Sequence, residues 1–278
     1  MALAASIEAL LRGELGPCSA GDEAAWYKTW HDLGLHALPP TLSALRGGMC
    51  ADRLSWVFVA GYQGAIRHVF PEVSRQGWAA YVATEDEARP SATLSALAAD
   101  GEAIILNGHK SWVAQSRHVD HLLVTAGNQC VLVSAQAPGV EFSHRDSCKF
   151  LDTMSQGYGA FENVTIAPDS VFDHDLMRDF GRREPRFVML AGAGHLLAQL
   201  KGADPTLEQD LISLILALAA VCESEHVVPK TFAALDRALQ AAVVRFSDVV
   251  DCSALPDWQA DERLLSMYSA RIQERAKR

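Results

Sequence analysis

The feature that most constrains this chain is a change of texture at Trp78. From there to about residue 172 the sequence runs through "WAAYVATE", "AIILNGHKSWV", "DHLLVTAG", "QCVLVSA", "VEFSHRD" and "AFENVTIA". These are short runs rich in β-branched and aromatic residues, separated by Gly, Asn, Asp or Pro. That spacing predicts an antiparallel meander, closed into a sandwich or an open barrel. Asn107-Gly108 predicts a two-residue hairpin, because both central positions of a type I′ turn need φ > 0. On either side the apolar period is helical. Residues 1–77 carry "SIEALLRGEL", "AAWYKTWHDLGLHAL" and "ADRLSWVFVAGYQGAIRHVF", and the last is apolar nearly all round, as in a helix packed deep among others. After Pro168-Asp169 four further helical runs follow, with Pro205 suited to a helix start and Pro229 to a break before the third. The predicted fold is therefore α+β: an N-terminal helical domain (1–77), a middle β-domain (78–172) and a C-terminal antiparallel four-helix bundle (173–278).

Charge and cysteine usage narrow the function classes. A formal net charge of −10 argues against a nucleic-acid or anionic-membrane surface, which needs a basic patch. Cys18, Cys50, Cys130, Cys148, Cys222 and Cys252 are scattered without a C-x-x-C pair, so reduced thiols are expected. "MALAASIEALLRGELG" reads as a helix rather than a signal peptide, since it lacks a basic start and carries Glu8. The longest apolar run, "LISLILALAAVC", is read as too short to span a bilayer. A cytoplasmic protein is expected. Faces such as "LISLILALAA" and "WVFVAGYQGAI" exceed what so small a bundle can bury alone, which implies an oligomer.

Generic chemical motifs contribute little. In "HVDH", His118 and Asp120 share one face of a strand and His121 points away, so a solvated strand edge is read in place of a metal site. The glycines of "LAGAGHL" lack the strand–turn–helix setting of a phosphate loop and read as close helix packing. No nucleophile elbow, Walker loop or H-E-x-x-H occurs. Two segments remain, "YVATEDEARPS" (81–91) and "NGHKSWVAQS" (107–116). Each ends a predicted strand with backbone donors, small side chains and one aromatic ring, a combination that suits a flat heteroaromatic ligand.

The order of these segments resembles the acyl-CoA dehydrogenase flavoprotein family. "YVATEDEA" resembles its TEPxAGSD segment and "LNGHKSWV" its LNGxKxWIT segment. "DHLLVTA" resembles the following strand and "APGVEF" the loop after it. "KFLDTMSQGYGAFENVTIAPDSVF" resembles the run that ends the family's β-domain, and "EPRFVMLAGAGHLLAQL" its first C-terminal helix. The resemblance implies FAD, with Tyr81, Ala83 and Thr84 along the isoalloxazine ring. Trp112 would face the ring, and the main chain at Val113 and Ala114 would approach its polar edge. It further implies an acyl thioester substrate, contacted by Arg89, Ser91 and the characteristic helix arginine, Arg186.

The departures from the family pattern are specific. Ala114 stands where the family has a threonine hydroxyl near flavin N5. "ARPS" replaces A-G-S-D, so Pro90 removes an N–H, and Arg89 is a substitute phosphate partner. The R-x-x-F-G and Q-x-x-G-G-x-G segments that reach a neighbouring subunit's FAD are missing. The carboxylate base is missing from its usual place: Ser269 follows Tyr268 where a Tyr-Glu pair is expected, and serine at its ordinary pKa cannot take the proton. Pro185 fills the alternative base position, which leaves Glu184, about 100° around the helix, as the fallback. The implied function is an FAD-dependent acyl thioester α,β-desaturase, and the implied assembly is a homo-oligomer or a hetero-oligomer with a dehydrogenase-like subunit. The alternative is a non-catalytic or FAD-holding subunit paired with a dehydrogenase-like partner. A third reading keeps the fold for a different flavin reaction or for binding alone.

Overall fold

The computed structural model describes residues 2–96 and 104–277. Met1, Ala103 and Arg278, which end three of the predicted segments, lie outside the described residues. Helices α1 (Ala2–Leu11), α2 (Glu23–Asp32), α3 (Pro40–Cys50) and α4 (Leu54–Val69) come first. Asp22 caps α2 by accepting from the Ala25 N–H at 2.8 Å. Helix α4 is buried at every position except His68, which corrects the expectation that its "WVFVAGYQGAI" face exceeds what one chain can bury. The helix is covered by α3, by the first strand and by the long α5 (His174–Leu200). The fit is close: a Cβ on Gly48 of α3 would lie 2.1 Å from the Ala191 carbonyl oxygen of α5. The glycines of "LAGAGHL" serve the same end, since added Cβ atoms would meet Leu265 at 2.8 Å and Leu45 at 3.0 Å.

The strands are β1 (Trp78–Val82), β2 (Thr93–Ala96), β3 (Ile104–Ala114), β4 (Val119–Ala126), β5 (Gln129–Ser134), β6 (Val140–His144), β7 (Gln156–Ile166) and β8 (Val171–Phe172). They form two four-stranded sheets, ordered β1-β4-β5-β8 and β2-β3-β7-β6. Val82, Leu106, Val113, Leu122 and Val164 fill the space between the sheets. Two expectations need correction here. The pairing is not wholly antiparallel, because β1 lies parallel to β4. Nor is Asn107-Gly108 a hairpin: β3 runs straight through it, and the pair forms a bulge in the β3–β7 register. Gly108 has φ +130°, and a Cβ there would lie 2.4 Å from the Ser91 carbonyl oxygen. The Asn107 side chain accepts the Asn163 N–H at 2.8 Å and so satisfies the facing strand at the bulge.

After α5 come α6 (Pro205–Glu223) and α7 (Pro229–Val249), both opening on the expected prolines. The fourth helical run is broken into the short α8 (Trp258–Asp261) and α9 (Ser269–Arg275). Helix α5 starts ten residues before the "EPRF" segment and carries Pro185 inside it. Helix α6 also corrects an expectation, since by length and composition it is long and apolar enough to cross a membrane. Here its Leu207, Leu211, Ile215 and Leu218 are buried, with α3, α5 and α7 as its helical neighbours, while Leu216 stays 47% exposed.

Candidate functional site

Strand β1 is an edge strand, and α4 supplies what its free edge lacks. At Ala79, Gln63 accepts the N–H at 3.0 Å and donates to the carbonyl at 2.7 Å. At Tyr81 the hydroxyl of Tyr62 does the same, accepting the N–H at 2.6 Å and donating to the carbonyl at 3.1 Å. A strand presents every second residue to the same edge, so Ala83 is next in phase. Ala83 and Thr84 are exposed. The Thr84 carbonyl receives the Ser111 N–H at 2.9 Å, which joins the end of β1 to β3 one residue before Trp112. Trp112 is half-buried, its indole N–H held by Gln156 at 3.0 Å. Its ring meets Phe58 and Tyr62 edge-on, each at 6.3 Å. The strip from Tyr81 to Trp112 thus has open main chain at one end and a fixed indole at the other, which fits a planar ligand.

Helix α5 closes the other side. Phe180 packs 4.3 Å from the Tyr81 ring and 5.9 Å from Tyr62. Glu184, four residues on, shares that helix face, and its negative charge helps to raise the Tyr62, Tyr81 and Tyr268 hydroxyls. Burial pushes the Glu184 carboxyl up to about 7, opposed by the Tyr268 hydroxyl and by the charge of Arg271. Burial likewise drives the Tyr62 and Tyr268 hydroxyls well above the usual phenol range. Beside this cluster opens a cleft of ≈ 440 Å³ between α5, the α6–α7 loop and α9. Tyr268 lines it, together with Arg182, Arg186, Arg271 and Arg275. Glu225 lines the cleft too, so four guanidinium groups share it with one carboxylate in a chain of net charge −10.

The structure gathers some predicted site residues and disperses others. Tyr81, Ala83, Thr84 and Trp112 share the strip. Val113 and Ala114 are fully enclosed and pair with Gly157 and Gln156 of β7. Arg89 is exposed beside Asp86 at 3.6 Å, and Ser91 is exposed and bridged to His109. Arg186 is buried, its guanidinium donating to the Val221 and Ser224 carbonyls at the end of α6. Ser269 donates to the buried Asp236 at 2.6 Å, which ties α9 to α7. "HVDH" is a junction rather than a solvated edge: His118 pairs with Glu23 at 2.7 Å, and Asp120 accepts from Tyr27 and from the Trp78 N–H. Among the described residues no group of three or more His, Cys, Asp or Glu could hold a metal.

Sequence reasoning missed Phe58, Tyr62, Gln156 and Phe180, and it treated Tyr268 only as the neighbour of Ser269. One signal was available for Tyr62. Tyr62-Gln63 is a polar pair inside a helix otherwise apolar all round, and buried polar groups must find partners.

No family model matches the sequence, and no curated protein does. Solved structures do match the fold. An FAD-dependent dehydrogenase aligns over 99% of this chain and 96% of its own, with TM-score 0.70 at 16% identity. A glutaryl-CoA dehydrogenase from Mycobacterium smegmatis, in complex with FADH2, aligns over 99% and 92%, with TM-score 0.63 at 14% identity. A prolyl acyl carrier protein oxidase aligns over 98% and 96%, with TM-score 0.63 at 15% identity. The chain therefore has the acyl-CoA dehydrogenase fold, and at these identities the likeness is one of fold.

Proposed function

We propose that this chain is an FAD-holding oxidoreductase that removes hydrogen from an acyl thioester. The observation that carries the reading is Glu184, a carboxyl held near neutrality by burial, with the Tyr81–Trp112 strip on one side and the arginine cleft on the other. A general base is most useful when its pKa lies close to the working pH. FAD, when bound along the strip, supplies the hydride acceptor. The main chain at Ala83 and Thr84 would pair with its polar edge, and Trp112 would wall one face. Arg182, Arg186 and Arg271 would hold the anionic part of the thioester, and ionised Glu184 would take the α-proton. The test is spectroscopic. Purified protein, as isolated or titrated with FAD, should show a flavin absorbance band that acyl thioesters bleach anaerobically. Glu184→Gln should keep the band and lose the bleaching. A protein that stays colourless and leaves added FAD unchanged would sink the reading.

A second reading is favoured by Ser269. The position that resembles the family's base is a strut, bonded to Asp236, which Gln273 also contacts at 2.5 Å. This suits a subunit that holds FAD without turning over a thioester and pairs with a second copy or a dehydrogenase-like partner. Retained flavin that no acyl thioester reduces, in a protein that co-purifies with such a partner, would select it.

A further inference from the structure

Two tyrosines flank Glu184, and their hydroxyls are used differently. The Tyr62 hydroxyl is committed, because its one proton goes to the Tyr81 carbonyl and it accepts the Tyr81 N–H in return. The Tyr268 hydroxyl is buried and makes no well-formed hydrogen bond, and the carboxyl it acts on as a donor is Glu184. Leaving a buried hydroxyl unpaired costs about 1–3 kcal/mol, so its position calls for a use that the resting contacts do not show. Tyr268 immediately precedes α9, lines the arginine cleft and acts on Glu184 as a weak hydrogen-bond donor. The groups facing the Glu184 carboxyl are Tyr62 from α4, Tyr81 from β1, and Tyr268 and Arg271 from the α9 segment. Of the three tyrosines, Tyr81 packs its ring on Phe180 and Tyr62 has no proton to spare.

We infer that Tyr268 is a positioning residue for Glu184: its hydroxyl donates to the carboxylate when Glu184 is ionised and lets go when Glu184 takes a proton. The bond would hold the charged form ready on the cleft side and weaken once the proton has arrived. Arg271 assists through charge, from an exposed position. The catalytic meaning of the contact rests on Glu184 being the proton acceptor proposed above, but the hydrogen bond itself does not.

Infrared titration of the purified protein reads Glu184 directly and needs no turnover. The protonated-carboxyl band that disappears in Glu184→Gln identifies the group, and in the unaltered protein it should titrate near 7. Tyr268→Phe should raise that midpoint by roughly one pH unit, a tenfold change in the proton affinity of the site. Arg271→Gln should raise it by less. Because Tyr268→Phe removes a buried group and could impair folding, 3-fluorotyrosine at position 268 is the companion test. It keeps the ring, makes the hydroxyl a stronger donor and should lower the midpoint. A midpoint that ignores both changes, or falls in Tyr268→Phe, overturns the inference. If the enzyme reduces its flavin yet the band ignores both changes, the inference fails and the proposed reaction stands. If the band responds in a protein that no thioester reduces, the reaction fails and the contact stands.

Discussion

Glu184 should make the folded protein less stable as the pH rises, and the size of the effect follows from its surroundings. Burial lifts the carboxyl from its ordinary 4.5 to about 7. Between those values the folded protein keeps a proton that the unfolded chain has released. Stability therefore falls as pH rises through that window, and the loss is complete above about 7. At about 1.4 kcal/mol per pH unit the span gives a ceiling of about 3 kcal/mol. Glu184 keeps partial exposure, and solvent screening brings the realised figure nearer about 2 kcal/mol. Glu184→Gln keeps the shape and removes the charge. It should match the unaltered protein at pH 4.5 and exceed it by about 2 kcal/mol at pH 8.

Urea denaturation followed by circular dichroism at both pH values measures this difference. The transition midpoint of the variant should move up at pH 8 alone, with an unchanged slope. An equal effect at the two pH values would mean that the carboxyl is not held neutral by burial, and a loss of stability at pH 8 would mean that its charge is used in a structural ion pair. Either result refutes the reasoning. The same variant is expected to lose thioester-driven bleaching, so stability gained and activity lost at one residue would mark a functional strain.

Two other positions give sharp expectations. Gly108→Val places a β-branched side chain at φ +130° and drives its Cβ against the Ser91 carbonyl 2.4 Å away, so a loss of about 3 kcal/mol or more is expected, visible as a large fall in Tm. His195 is fully buried against Ala51 and Trp258, and burial holds it down to about 4 from 6.5. The unfolded chain takes up a proton below 6.5 that the folded protein refuses until about 4, so stability falls with falling pH across that window by about 3 kcal/mol. His195→Gln should flatten that acid limb in denaturation profiles at pH 4 to 7. An unchanged limb would assign the acid sensitivity to other groups.

The fold was legible where its determinants are local and hidden where they are not. The switch from helical period to short β runs at Trp78, and the prolines opening α6 and α7, are local facts and appear where expected. The parallel pairing of β1 with β4 depends on residues some forty positions apart, as in Trp78 with Val119, and no local pattern encodes it. Asn107-Gly108 shows how a sound local rule fails. The pair has the backbone freedom of a turn, but Asn107 spends its side chain on Asn163, and Gly108 spends its missing Cβ on Ser91. Both partners lie outside the window in which a turn is read.

The site divides in the same way. Tyr81, Ala83, Thr84 and Trp112 could be grouped from two strand-end segments because each segment carries its own aromatic and its own backbone donors. Glu184 could not be judged from its place beside Pro185, because its chemistry comes from elements brought in from both ends of the chain. Tyr62 comes from α4, and Tyr268 and Arg271 come from the α9 segment. Helical geometry gives the direction of a side chain and says nothing of what stands there to meet it. A carboxylate directed at solvent and one directed at two buried phenols look alike in sequence. Only the second must keep its proton near pH 7, and that difference separates a surface charge from a candidate base. A base for the proposed reaction is therefore to be sought in the packing of α4, α5 and α9, with Ser269 left to its bond with Asp236.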